Sequence, residues 1–197
     1  MPHESLVYTK FTDSPEVVKD CFEEYLPNSG HVITTMSAGW PLFFLNLGAH
    51  FCTVIDRNPA QIDFIMRKFQ ETPSFSNLLE NSCNIVNADF TQMDPSFWQG
   101  RVHGDEFIFL SNIWDHCVTE GSANHYVSQI KRILDSASSL SHIKLLSSSF
   151  SQKELESLEE GLIYTLGRKY RVASKELKAG YFSKSPLKDF RLFEISF

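Results

Sequence analysis

The sequence lacks the features that mark secreted and membrane-spanning proteins. Its four cysteines are scattered without a C-x-x-C pair, so neither a disulfide framework nor a metal site is expected. The stretch MPHESLVYTKF has neither the charged start nor the apolar run of a signal peptide. The most apolar segment, residues 41–55, is interrupted by polar residues and falls short of the roughly 20 residues of a spanning helix. These absences predict a cytoplasmic protein that does not enter a membrane.

Blocks of basic residues are also missing, and the formal net charge is −6. Nucleic acids and anionic membrane surfaces are therefore not expected as partners. A length of 197 residues fits one domain, with residues 1–30 forming an N-terminal helical segment packed on it. A small molecule is the expected substrate, and a homodimer is compatible with this size.

Strand-like and helix-like segments alternate along the chain. Strands are predicted at residues 32–36, 51–55, 84–87, 106–110 and 143–146, and helices at residues 15–26, 41–47, 59–70, 125–136 and 152–166. Two further strand-like runs, residues 170–173 and 190–197, end the chain, and the serines at 147–149 are expected in a loop. The pattern predicts an α/β fold with a mainly parallel sheet and helices on both faces.

The turn after the first predicted strand is Ser37-Ala38-Gly39. A dinucleotide-binding turn normally carries G-x-G-x-x-G, and only one of those glycines is present here. The reduced turn suits a ligand without phosphate that lies close to the backbone. The alternative is a plain tight turn between a strand and a helix.

Asp56 ends the second predicted strand and is followed by Asn58-Pro59. A carboxylate at this place can accept hydrogen bonds from both hydroxyls of a ribose. The alternative is that Asp56 caps the next helix. Asn58 can serve as that cap, since Asn before Pro is a common helix entry, and Asp56 is then left for a ligand.

Polar residues also follow the third and fourth predicted strands. Asp89 can accept from an adenine amino group while Phe90 packs on the ring; the alternative for Asp89 is a solvated loop residue. Ser111 and Asn112 offer neutral polar groups to the amino acid end of a ligand. Trp114 can face a cation through its ring or pack in the core.

Two neighbours of Trp114 add a further candidate. Asp115 and His116 follow it directly and can form an acid/base pair. The alternative for His116 is a surface residue.

Together these positions predict a nucleoside crevice and a small enzyme that uses S-adenosylmethionine (SAM). The sequence resembles the SAM 3-amino-3-carboxypropyl transferases, in particular the enzymes of betaine-lipid synthesis. The resemblance covers about the first two-thirds of the chain and rests on Ser37, Gly39, Asp56, Asn58, Pro59 and Gln61. It implies a Rossmann-like SAM domain that finishes with an antiparallel C-terminal strand and in which Asn58 and Gln61 belong to the binding motif. It also implies that a nucleophile attacks the γ-carbon of the methionine part and that 5′-methylthioadenosine leaves.

The chain departs from the lipid enzymes at the fourth strand. They resemble Leu-Leu-Asp-His there, whereas this sequence has Leu110-Ser111-Asn112, and it has no added region for diacylglycerol. We therefore expect intramolecular cyclisation of SAM to azetidine-2-carboxylate, or transfer to a small acceptor. Tyr181 is the first choice for an aromatic ring over the sulfonium, with Trp114 and Tyr164 in reserve; the alternative for Tyr181 is an ordinary hairpin aromatic.

Two other functions are compatible with the same nucleoside site. One is a SAM-dependent methyltransferase acting on a small molecule. The other is a SAM-binding module without catalytic activity, because the sequence shows no unmistakable general base.

Overall fold

The computed structural model describes residues 15–25, 27–36, 39–71, 73–137, 141–177 and 188–197. Within them the strands form one sheet in the order β3-β2-β1-β4-β5-β7-β6. The strands are β1 His31–Thr34, β2 Phe51–Asp56, β3 Cys83–Asn87, β4 Phe107–Phe109, β5 His142–Ser149, β6 Arg171–Leu177 and β7 Asp189–Ser196. Strands β1 to β5 are parallel, and β7 is antiparallel to both β5 and β6.

Helices cover both faces of this sheet, as the sequence predicts. They are α1 Pro15–Glu24, α2 Trp40–Asn46, α3 Pro59–Gln70, α4 Pro73–Ser82, α5 Ile113–Glu120, α6 Ala123–Ser136 and α7 Gln152–Leu166. Short 3₁₀ turns occupy Phe90–Gln92, Pro95–Trp98 and Gly167–Lys169. Among the described residues, no helix combines the length and the apolar character needed to cross a bilayer.

The core consists of two apolar clusters, one on each face of the sheet. One cluster packs α1 and α2 against β4: the Phe22 ring centroid lies 5.1 Å from that of Phe44 and 5.3 Å from that of Phe107. The other cluster packs α6 and α7 on the opposite face, where Ile130 and Leu158 are fully buried. Burial on both faces explains why β4 is entirely apolar.

Most predicted elements are confirmed, and the bounds of α3 and α7 are those expected from the sequence. The prediction of a loop at the serine cluster is wrong, because β5 continues through Ser149. Ser147, Ser148 and Ser149 pair with the start of β7, which provides backbone partners that no local pattern reveals. Helices α4 and α5 were not predicted at all.

A buried polar network lies at the amino ends of β1, β2 and β4. His31 Nδ1 is 3.4 Å from Glu106 Oε1, and His31 Nε2 is 2.9 Å from Thr53 Oγ1. The backbone amides of His103 and Gly104 also donate to the Glu106 carboxylate. Burial raises the pKa of Glu106, but the hydrogen bonds from His31 and the His103 amide outweigh it, and the pKa lies below its usual range. This network stabilises the edge opposite the candidate site.

Candidate active site

The candidate site lies at the carboxyl ends of the parallel strands. Strand β1 pairs with β2 on one side and with β4 on the other, so the chain reverses its direction of winding between β1 and β4. In open α/β sheets a ligand crevice forms outside the carboxyl ends at such a switch point. The segments that follow β1, β2, β3 and β4 therefore meet at one edge.

Gly39 stands at the start of α2, directly after the turn that follows β1. Its backbone is left-handed, with φ 78° and ψ 23°, a conformation that glycine adopts without a steric penalty. Its amide donates to Met36 O over 3.3 Å, which closes the turn. Ser37 and Ala38 lie outside the described residues.

Asp56 is the last residue of β2 and is only 9% exposed. Its Oδ1 accepts a hydrogen bond from the Asn58 amide over 2.9 Å. Its own carbonyl oxygen accepts from the Ala88 amide at 3.1 Å and from Asn87 Nδ2 at 2.9 Å. The ends of β2 and β3 are thus joined, and the carboxylate is held in one place.

Burial raises the pKa of Asp56 above its ordinary value. The backbone amides of Asn58 and Met36 and the charge of Arg57 lower this pKa, but they do not outweigh burial. Such a carboxylate has already lost much of its hydration. Hydrogen-bond donors on a ligand would therefore stabilise its ionised form strongly.

Asn58 caps helix α3, as expected from the sequence. Its Oδ1 accepts from the amides of Ala60 at 3.1 Å and Gln61 at 3.3 Å. The Gln61 side chain is 6% exposed at the first turn of the same helix. The Asn-Pro part of the motif therefore has a structural role at the helix start, and Asp56 is not needed as the cap.

Asp89 and Phe90 follow β3, but they take different positions. Asp89 Oδ1 accepts from the Thr91 amide at 2.8 Å and the Thr91 hydroxyl at 2.7 Å, and so caps a 3₁₀ turn. The Phe90 ring is 1% exposed and packs 5.3 Å from Tyr126 and 6.2 Å from Trp98, centroid to centroid. Phe90 is thus a core residue here, which contradicts its expected place against a ligand ring.

Arg57 is a charged residue of this edge that the sequence analysis missed. Its guanidinium makes two hydrogen bonds to Glu120, 2.8 Å and 2.6 Å long, and lies 3.7 Å from Asp89 Oδ2. The pair joins the end of β2 to the end of α5, across the segment after β3. The position of Arg57 next to Asp56 was a usable signal, but its partner is 63 residues away.

Ser111 and Asn112 follow β4 at the switch point. Asn112 has φ 64° and is the non-glycine residue with positive φ among those the structure describes. Its Nδ2 donates to Ser111 Oγ over 3.2 Å, and Ser111 is 4% exposed. The two side chains that were expected to meet a ligand are therefore bonded to each other.

Two of the three aromatic candidates, Trp114 and Tyr164, do not take their expected places. Trp114 is 2% exposed, donates from Nε1 to Glu154 O over 3.2 Å and packs 5.4 Å from the Tyr126 ring, so the core alternative holds for it. Tyr164 is 90% exposed on α7. Tyr181 lies outside the described residues.

Lys188 is the second residue that the sequence analysis missed. Its Nζ lies 2.5 Å from Asn112 Oδ1 and 2.6 Å from Asp115 Oδ2. Asp115 is therefore paired with a lysine, whereas a pairing with His116 was expected. No local signal marks Lys188, because it is 76 residues from Asn112.

The chain is similar to known proteins in its fold and not in its sequence. The sequence matches no family model and no curated protein. Among the solved structures that share the fold are three methyltransferases. For the glycopeptide N-methyltransferase MtfA complexed with SAM, the TM-score is 0.63 at 13% identity, with 99% of each chain covered. For the methyltransferase domain of bacterial CtHen1-C, it is 0.62 at 9% identity, with 93% of this chain and 97% of that chain covered.

The third structure is a SAM-dependent methyltransferase from Aquifex aeolicus. Its TM-score is 0.56 at 13% identity, and the match covers 93% of this chain and 90% of that one. The chain therefore has the Rossmann-like fold of the SAM-dependent methyltransferases. This result confirms the fold class predicted from the sequence.

Proposed function

We propose that this chain is a SAM-dependent enzyme that acts on a small molecule. The observation that carries the proposal is the Asp56 carboxylate, almost buried at the end of β2 beside the switch point. A carboxylate is costly to bury unless polar partners compensate the lost hydration. The amides of Asn58 and Met36 and the charge of Arg57 do not fully compensate it for Asp56. The two hydroxyls of the SAM ribose are partners of the required kind.

The other residues of the edge fit the remaining parts of SAM. The left-handed backbone at Gly39 allows the amino acid part to approach the chain after β1. Asp89 Oδ1 caps its turn, and Oδ2, which lies 3.7 Å from the Arg57 guanidinium, can also accept from the adenine amino group. Arg57 and Glu120 then border the outer side of the base.

The chemistry we favour is attack on the γ-carbon of the methionine part, as the motif Asp56-x-Asn58-Pro59-x-Gln61 implies. In the intramolecular form, the ammonium group of SAM first releases a proton to solvent, and the lone pair of the neutral amine then forms a bond to the γ-carbon. The C–S bond breaks, its electron pair stays on sulfur, and neutral 5′-methylthioadenosine leaves. The ring nitrogen of azetidine-2-carboxylate carries the resulting positive charge. The sulfonium is already a good leaving group, so the protein contributes mainly the orientation of the reacting atoms.

Methyl transfer to a small acceptor is the second candidate. It is favoured by the fold, since the solved structures described above are methyltransferases and one of them holds SAM. The same nucleoside site serves both reactions. Only the atom attacked and the nucleoside product differ.

The products formed from SAM distinguish the two reactions. The purified chain is incubated with SAM, first alone and then with a small-molecule extract, and the products are identified by mass spectrometry. 5′-Methylthioadenosine above the level in buffer and in an Asp56→Ala control supports attack on the γ-carbon. S-adenosylhomocysteine supports methyl transfer instead. Tight binding without either product indicates a non-catalytic module, and no binding refutes the proposal as a whole.

A further inference from the structure

The side chain of Lys188 is fully buried, directly before β7. A buried ammonium group loses its hydration and needs charged or polar partners. The structure gives it Asp115 Oδ2 at 2.6 Å and Asn112 Oδ1 at 2.5 Å, and its Nζ lies 4.9 Å from the centre of the Phe150 ring. A buried ion pair of this kind adds little stability compared with apolar side chains of the same volume. Stability alone therefore does not account for this lysine.

The contacts of Lys188 place it against the end of β4. Asn112 follows β4 and has a left-handed backbone. This conformation costs a non-glycine residue free energy and persists only where surrounding contacts hold the residue in place. Hydrogen bonds run from Lys188 through Asn112 to Ser111, and on the other side from Lys188 to the first turn of α5 at Asp115. Lys188 thus ties the C-terminal strand to the wall of the switch-point crevice.

We propose that Lys188 is a positioning residue for the reacting end of SAM. This inference rests on the function proposed above, in which Asp56 binds the ribose and the methionine part extends toward β4. Lys188 acts through Asn112: its ammonium fixes the side chain and the left-handed backbone against which the methionine part lies. The negative charge of Asp115 balances the ammonium, so the cationic sulfonium meets a neutral ion pair.

The test removes both charges of the buried pair. The variant Lys188→Met with Asp115→Asn leaves no uncompensated charge, and Lys188→Met alone is made beside it. We expect kcat for consumption of SAM to fall about 100-fold, as for a small misplacement of reacting groups. The Kd for SAM, measured by calorimetry, stays within about threefold of the wild-type value, because the ribose contact is intact.

Arg191 provides a matched control on the same strand. It is also buried, but its partners are Glu159 and Glu176 on α7 and β6. Arg191→Met removes a buried cation whose acidic partners differ from the Asp115 partner of Lys188. We expect it to lower the melting temperature while kcat per folded molecule stays at the wild-type level.

Two results would overturn the inference without touching the proposed function. One is a folded double variant with kcat within about threefold of wild type. The other is an Arg191→Met protein that loses kcat as strongly as the double variant. A third measurement uses Asn112→Ala: in that background Lys188→Met should have no further effect on kcat, whereas multiplied losses would show that the two residues act independently. If the wild-type protein itself neither binds nor consumes SAM, it is the proposed function that fails.

Discussion

Replacing Asp56 with Asn should weaken SAM binding and yet leave the fold at least as stable. The substitution keeps the size of the side chain, and an amide oxygen can still accept from the Asn58 amide. It removes the negative charge of Asp56, a residue that is only 9% exposed at the end of β2. The two effects have opposite signs, which makes the variant informative.

The loss of affinity can be worked out from two ribose hydrogen bonds. A hydrogen bond to a charged group contributes about 1.5–3 kcal/mol and a neutral one about 0.5–1.5 kcal/mol. In the variant, the amide oxygen accepts from one hydroxyl and the amide NH2 donates to the other, so two charged hydrogen bonds become neutral ones. This exchange costs about 2–3 kcal/mol, since each bond loses about 1–1.5 kcal/mol. The Kd for SAM should rise about 30- to 150-fold, at 1.4 kcal/mol for each factor of ten.

The effect on stability follows from the sign of the pKa shift. Burial raises the pKa of Asp56 above the ordinary value of 3.8, so the folded protein disfavours the ionised form. The contribution of Asp56 to stability is therefore largest below pH 3.8 and is lost as the pH rises through its folded pKa. At pH 7 the uncharged Asp56→Asn variant avoids this penalty.

Calorimetric titration with SAM and chemical denaturation at pH 7 measure the two effects. Asp63→Asn is the matched control, because Asp63 is exposed on α3 and the change in net charge is the same. An Asp56→Asn affinity equal to that of the control would refute the assignment of Asp56 to the ribose. A free energy of unfolding clearly below that of the control would refute the argument from burial.

Three further changes test the packing and the site. Glu106→Gln should lower the free energy of unfolding by about 2–3 kcal/mol. Because the folded pKa of Glu106 is depressed, the contribution of this carboxylate to stability is present above pH 4.5 and is lost as the pH falls through the folded pKa. Chemical denaturation at pH 7 and at acidic pH checks the size of the loss and its pH dependence. Gly30→Ala should destabilise the protein by about 1–3 kcal/mol more than Gly100→Ala. The new Cβ at position 30 lies 2.5 Å from the His50 ring, whereas Gly100, at a similar φ, has open space around it. Equal melting temperatures for the two variants would contradict this. Asn112→Ala should lower kcat more than it raises the Kd for SAM, and a raised Kd with unchanged kcat would show that Asn112 contributes only to ground-state binding.

The sequence was informative wherever a signal is local. The alternation of strands and helices and the Asn58 cap depend on periodicity and on residues a few positions apart. The same holds for the position of Asp56 at a strand end. Helix α5 was not predicted, because it begins directly after Asn112, inside a segment that had been interpreted as a binding loop.

The roles of side chains were harder to predict, because the type of amino acid does not say which way its side chain points. Phe90 and Trp114 follow strands at the site edge, yet both rings pack against Tyr126 in the core. Their large apolar surfaces are better buried than left in a polar crevice. Aromatic residues near a strand end therefore gave a misleading signal.

By itself the sequence determined the α/β architecture and the carboxylate at the end of β2, because apolar periodicity and turn residues act over short distances along the chain. Only the tertiary structure decided that Lys188 meets Asn112 and Asp115, that Arg57 meets Glu120, and that β7 lies between β5 and β6. Each of these contacts joins segments far apart in the sequence, and such segments meet only when burial of the two apolar faces of the sheet brings them together.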